Sequence, residues 1–172
     1  MPAETVDRSW PQTWARDETQ LQRQFLQFLR ATVVNKIAGL SRADAAATPI
    51  PTSPALSLMG IVKHLTSVER FWISIVAGGE DVPDPWADVD ADDDFRLSKD
   101  DSPASVVAAY RDEWARADAA IAGMSPDEET RKAVGGKRRT VRWIYAHLVQ
   151  ETARHVGHMD LLREMADGAV GE

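Results

Sequence analysis

The stretch Thr140–Ala166, TVRWIYAHLVQETARHVGHMDLLREMA, decides how this 172-residue chain is read. It holds no proline, and two stripes run along it at helical spacing. Ile144, Leu148, Thr152, Val156, Met159 and Leu162 make an apolar face. Beside it stand Trp143, His147, Glu151, His155 and His158, separated by 4, 4, 4 and 3 positions, a second stripe that drifts slowly around the same helix. Thr140 is placed to cap that helix. Working back along the chain, the same periodicity predicts a helix over Asp17–Leu40, with Leu21, Phe25, Phe28, Leu29, Thr32 and Val33 on one face. A second spans Ala55–Ala77 and stops at Gly78-Gly79. A third opens at Ser102-Pro103, a cap followed by proline at the first helical position, and runs to Ala122 with Val106, Val107, Tyr110, Trp114, Ala117 and Ile121 inward. Amphipathic helices of this length bury their stripes only against one another, so the fold class is all-α, a four-helix bundle. One domain over 10–167 is expected, with tails at 1–9 and 168–172.

The connections are also legible. Ser41–Pro54 carries three prolines and reads as a short turn followed by an extended connector. Gly135-Gly136 marks a tight turn, and Arg131–Lys137 is open between strand, hairpin and loop. Gly78–Asp101 reads as a long surface connection anchored by Trp86 and Phe95. From Asp84 to Asp101 it holds eight aspartates against Arg96 and Lys99, which accounts for −6 of the chain's net charge of −7. Asp90, Asp92 and Asp94 alternate as calcium ligands do, yet Phe95 and Asp101 stand where an EF-hand needs glycine and glutamate. A solvated acidic loop is the expectation.

Composition narrows the function. Without cysteine, the chain supports no disulfide, iron–sulfur cluster, thiolate zinc site or cysteine nucleophile. Its acidic balance argues against a nucleic-acid surface. The first residues lack the basic and apolar regions of a secretory signal, and no run approaches the length of a membrane span. A soluble cytoplasmic protein with neither nucleic acid nor membrane as partner is expected.

All four histidines fall on predicted helices. His64 lies among Ile61, Leu65, Val68, Phe71 and Trp72 and points inward from the second. Glu151 and His155 are an i, i+4 pair on the last, so with His64 from across the bundle they supply two imidazoles and a carboxylate, a catalytic zinc set that leaves one position open. Iron(II), nickel or manganese would suit the same trio. His147 and His158, a turn or less away, are candidates for a fourth ligand or for catalytic residues that move protons. Arg154 and Arg163 are candidates for binding a carboxylate of the cofactor or substrate. Trp72, Trp114 and Trp143 occupy core-facing positions, and Trp143 is also a candidate for lining the cofactor pocket. The cations of Lys132–Arg142 read as a solvated loop leading into a helix N-terminus. Against the metal reading stands a plainer one, in which inward histidines are core residues with one satisfied hydrogen bond; spacing alone leaves both open.

Two segments carry a resemblance. Arg142–Glu164, with the pattern RW…H…E.ARH.GH.D..RE, resembles the last-helix signature of the DinB-like superfamily, nearest the subgroup of mycothiol-dependent S-transferases and maleylpyruvate isomerases. Ser57–Trp72 resembles its second-helix motif. The resemblance implies a divalent metal held by His64, Glu151 and His155, zinc being the expected ion, and it leaves His147 and His158 to proton-handling or pocket roles. It further implies that a low-molecular-weight thiol, mycothiol, is activated as thiolate for attack on an electrophile, in the service of detoxification. Two other readings stand beside it: thiol-dependent isomerisation of a small diacid such as maleylpyruvate, and a non-catalytic metal-binding stress-response bundle. A homodimer is left open.

Overall fold

The computed structural model describes residues 3–12, 14, 16–87 and 93–170. The helices are α1 (Glu18–Ile37), a short α2 (Arg42–Ala46), α3 (Leu58–Glu69), α4 (Pro103–Ala120) and α5 (Val141–Asp167). Each of the four long ones begins at a side-chain cap, Asp17, Ser57, Ser102 or Thr140, whose oxygen accepts one of the first free backbone N–H groups. Among the described residues no strand forms; the segment left open around Gly135-Gly136 makes two isolated bridges, Glu129 with Thr140 and Val134 with Lys137. The Ser41–Pro54 connector differs from expectation in one respect, because Ser41 caps a real helical turn, α2, before the prolines begin.

Cross-helix contacts define the directions. Glu18 meets Arg142 at one end and Lys36 meets Asp160 at the other, so α1 and α5 run parallel. Trp72 meets Trp143 and His64 meets His155, so α3 runs against α5. Ser74 bonds Glu113, and the end of α3 at Gly78 approaches Ala120 so closely that a Cβ on Gly78 would lie 2.6 Å from the Ala120 Cβ, which makes α3 and α4 parallel neighbours. Parallel neighbours need a connection as long as the bundle. The acidic stretch 78–102 is that crossover, and its 3₁₀ turn Asp93–Phe95 lands against α3 near His64. Asp90 and Asp92 lie outside the described residues.

α3 does not end as a regular helix. Arg70–Ala77 continues it as a π-helix, with the Gly78 N–H donating to the Ile73 carbonyl five residues back at 2.7 Å.

The core is two apolar clusters, one around Val33, Ile37, Ile61, Leu65, Tyr110 and Met159, the other around Leu26, Ile73, Ala117, Ile121, Ile144 and Leu148. Between them lies a polar waist. Arg30 is almost fully buried, forks onto Glu69 at 2.9 and 2.5 Å, and reaches Asp118 at 3.0 Å. Buried Glu113 takes hydrogen bonds from Ser74 at 2.6 Å and Arg70 at 3.0 Å. These pairs explain where the expected faces were wrong. The buried stripe of α1 is centred on Leu26, Arg30, Val33 and Ile37, with Phe25 turned out, because a charged residue occupies a core position that apolar counting skips. In α4, Glu113 is buried in the same way and Trp114 sits only partly inside.

Burying a guanidinium and a carboxylate is tolerable only while they are paired. Arg30→Met should therefore destabilise the protein by about 3–5 kcal/mol in urea unfolding, by stranding Glu69. Arg30→Met combined with Glu69→Leu should recover most of that loss.

Candidate metal centre

His64 is presented by the second turn of α3, and Glu151 and His155 by successive turns of α5 at the waist. One ligand atom from each lies within 4.8 Å of the others. Glu151 Oε1 is 3.2 Å from His155 Nε2 and 3.6 Å from His64 Nε2. Ligands 2.0–2.1 Å from a tetrahedral zinc ion lie roughly 3.3 Å apart, so the two separations from Glu151 match those around one first-row cation. The protonation states fit too. Burial pushes the His155 imidazole down to about 4, His64 adding to the effect, so the ring is neutral near pH 7. Burial works to raise the Glu151 carboxyl, but the facing imidazoles and Arg154 outweigh it and hold the group below its usual value. Two imidazoles, His155 neutral near pH 7, and one anionic carboxylate make up a donor set that zinc and its neighbours take.

Asp94 was missed by the reading of its loop as solvated. Its side chain is 4% exposed, and its Oδ2 lies 2.8 Å from His64 Nδ1 and accepts the Trp86 indole N–H at 2.9 Å. These two hydrogen bonds outweigh the raising effect of burial and keep Asp94 below the usual carboxylate range. Phe95 stacks on the His64 ring with centroids 4.2 Å apart. Trp86 and Phe95 thus anchor the crossover as expected, and the signal for Asp94 was present only as one aspartate in a run of them.

The other sequence candidates divide. His158 lies edge-on to His155, centroids 5.3 Å apart, outside the ligand cluster. His147, one turn from Glu151, is packed between Trp72 and Trp143, and burial lowers its pKa. Trp143 is 40% exposed, which corrects its expected core position: it stacks on His147 at the rim, with the Arg139 guanidinium over it. Arg154 is exposed and approaches Glu151 Oε2 at 3.8 Å. Arg163 is drawn away from the cluster, donating to the Lys36 and Ala38 carbonyls at the end of α1 and to Asp167. The cations of Lys132–Arg142 are largely spent on internal contacts, Arg142 with Glu18 and Asp127, Arg138 with the Thr130 and Arg131 carbonyls.

Across residues 20–168 the sequence matches the model of the mycothiol S-transferase family. The chain belongs to that family. No curated protein matches it. Family membership agrees with the all-helical fold and implies a thiol substrate. No helix among the described residues is long and apolar enough to cross a membrane.

Two outcomes are expected. After dialysis against zinc, the protein should retain about one ion per chain by elemental analysis, as a three-ligand site requires, and His64→Ala, Glu151→Ala and His155→Ala should each lose it. In the metal-free protein, stability should fall as the pH drops from the ordinary histidine range toward 4, since the unfolded His155 takes up a proton that the folded one refuses. Chemical unfolding at several pH values reads this slope, which His155→Gln should flatten.

Proposed function

We propose that the protein is a divalent-metal-dependent transferase that joins the sulfur of mycothiol to an electrophile, with His64, Glu151 and His155 holding the cation. The observation that carries this reading is the convergence of two imidazoles and a carboxylate on one point in a member of the mycothiol S-transferase family. A divalent cation held by His64, Glu151 and His155 would lower the pKa of a thiol bound to it, so that the thiolate would predominate near neutral pH.

The chain's own residues have separate tasks. With a cation bound, Glu151 would offset part of its charge, and His64 and His155 would supply the nitrogen ligands. His147, kept neutral by burial and one turn from Glu151, accepts the thiol proton; His158, on the other side of His155, is the second group suited to it. Arg154 is exposed beside Glu151 and receives an anionic group of the thiol or the electrophile. Trp143 and Trp72 form an aromatic rim against which the substrates lie. In the transfer itself, the sulfur lone pair forms the new S–C bond as a leaving group departs with its electrons, or as a conjugated acceptor takes up a proton. Zinc suits the donor set best, with nickel, iron and manganese as alternatives, and the setting is a cytoplasmic one.

The test is thiol consumption by zinc-loaded protein with mycothiol and a halogenated bimane. Conversion to the S-conjugate, reduced to the uncatalysed rate in His155→Ala, is the expected result. A thiol that neither binds nor reacts removes the transferase reading, and consumption of mycothiol only with a cis-diacid acceptor would favour an isomerase.

A further inference from the structure

The crossover between α3 and α4 grips one side of His64. Asp94 meets Nδ1 of that ring at 2.8 Å, Phe95 lies nearly parallel to it at 15°, and Trp86 ties Asp94 down from the start of the same segment. The approach depends on Gly60, one turn before His64, where a Cβ would lie 2.8 Å from the Phe95 carbonyl oxygen. Asp93 differs from its neighbour: its side chain is 35% exposed and pairs with Arg96. Two adjacent aspartates of one 3₁₀ turn therefore have unlike surroundings, one aimed at a histidine and one paired with a surface arginine.

We infer that Asp94 is a positioning residue for the metal centre, accepting the Nδ1–H of His64 so that the ring keeps one tautomer and turns a bare Nε2 toward Glu151. The inference rests on His64 being a ligand, as the proposed function has it. A neutral imidazole carries its proton on one nitrogen, and only the other nitrogen offers a lone pair to a cation. With a carboxylate 2.8 Å from Nδ1, the proton belongs on that nitrogen and the lone pair faces the site. His155 has no comparable hold: its Nδ1 is buried without a hydrogen-bond partner among the described residues, and its orientation rests on packing and on Glu151. Trp86 fixes the oxygen that fixes His64, so the crossover is tied to the centre through a chain of two hydrogen bonds.

The test combines nitrogen NMR of histidine-labelled, metal-free protein with zinc competition against a chromophoric chelator. The wild type should show His64 with its proton on Nδ1. Asp94→Ala should release it to a mixture or to the Nε2–H form and weaken zinc binding about 10–100-fold, the range for loss of such an orienting partner. Asp94→Asn, which keeps an acceptor oxygen, should retain the tautomer and much of the affinity. Asp93→Ala removes the same charge and should change neither. A wild-type His64 protonated on Nε2, an unchanged affinity in Asp94→Ala, or equal losses from Asp93→Ala and Asp94→Ala would overturn the inference. Should Asp94→Ala fail to fold, the wild-type tautomer decides. A wild type that takes up no zinc sinks the transferase reading, while the tautomer still reports whether Asp94 holds the ring.

Discussion

Polar groups taken out of water in the middle of a helix bundle must find partners, and the waist of this molecule is organised by that constraint. On the side of α1, α3 and α4 the partners are supplied internally, as Arg30 forks onto Glu69 and Glu113 collects Ser74 and Arg70. On the side of α3 and α5, Glu151 faces two imidazoles, and burial keeps that of His155 neutral near pH 7. A carboxylate opposite a neutral ring is a weak arrangement without a cation and a strong one with it. The two halves thus use the same layer differently, one to hold helices in register and the other to bring two imidazoles and a carboxylate together.

The crossover follows from topology. Because α3 and α4 lie parallel, the chain between them has to travel the height of the bundle, and in passing it meets the outer side of His64. A segment that looks like charge and turns therefore contains one aspartate with a specific task. Gly60 makes room for it, the backbone of the crossover occupying the place of a side chain.

The sequence carried the bundle and the trio because both are written in periodicity: four long amphipathic segments with cap residues, and i, i+4 spacing on α5 that puts Glu151 and His155 on one face. What it hid were the exceptions to apolar counting. Arg30 and Glu113 sit in core positions because each has a partner far along the chain, a fact no local window contains. The π-helical end of α3 leaves no mark in composition, and Asp94 is one of eight aspartates until the fold selects it. Trp143 was drawn inward by its spacing and is held at the rim by His147 and Arg139.

Activity assays, variants and stability all bear on the site indirectly, whereas X-ray absorption at the metal edge reads its ligands. For zinc-loaded protein the fine structure should contain two imidazoles and one oxygen donor near 2.0–2.2 Å, with a sulfur shell near 2.3 Å added when mycothiol is present. An edge spectrum without imidazole scattering, or one that mycothiol leaves unchanged, would contradict the account.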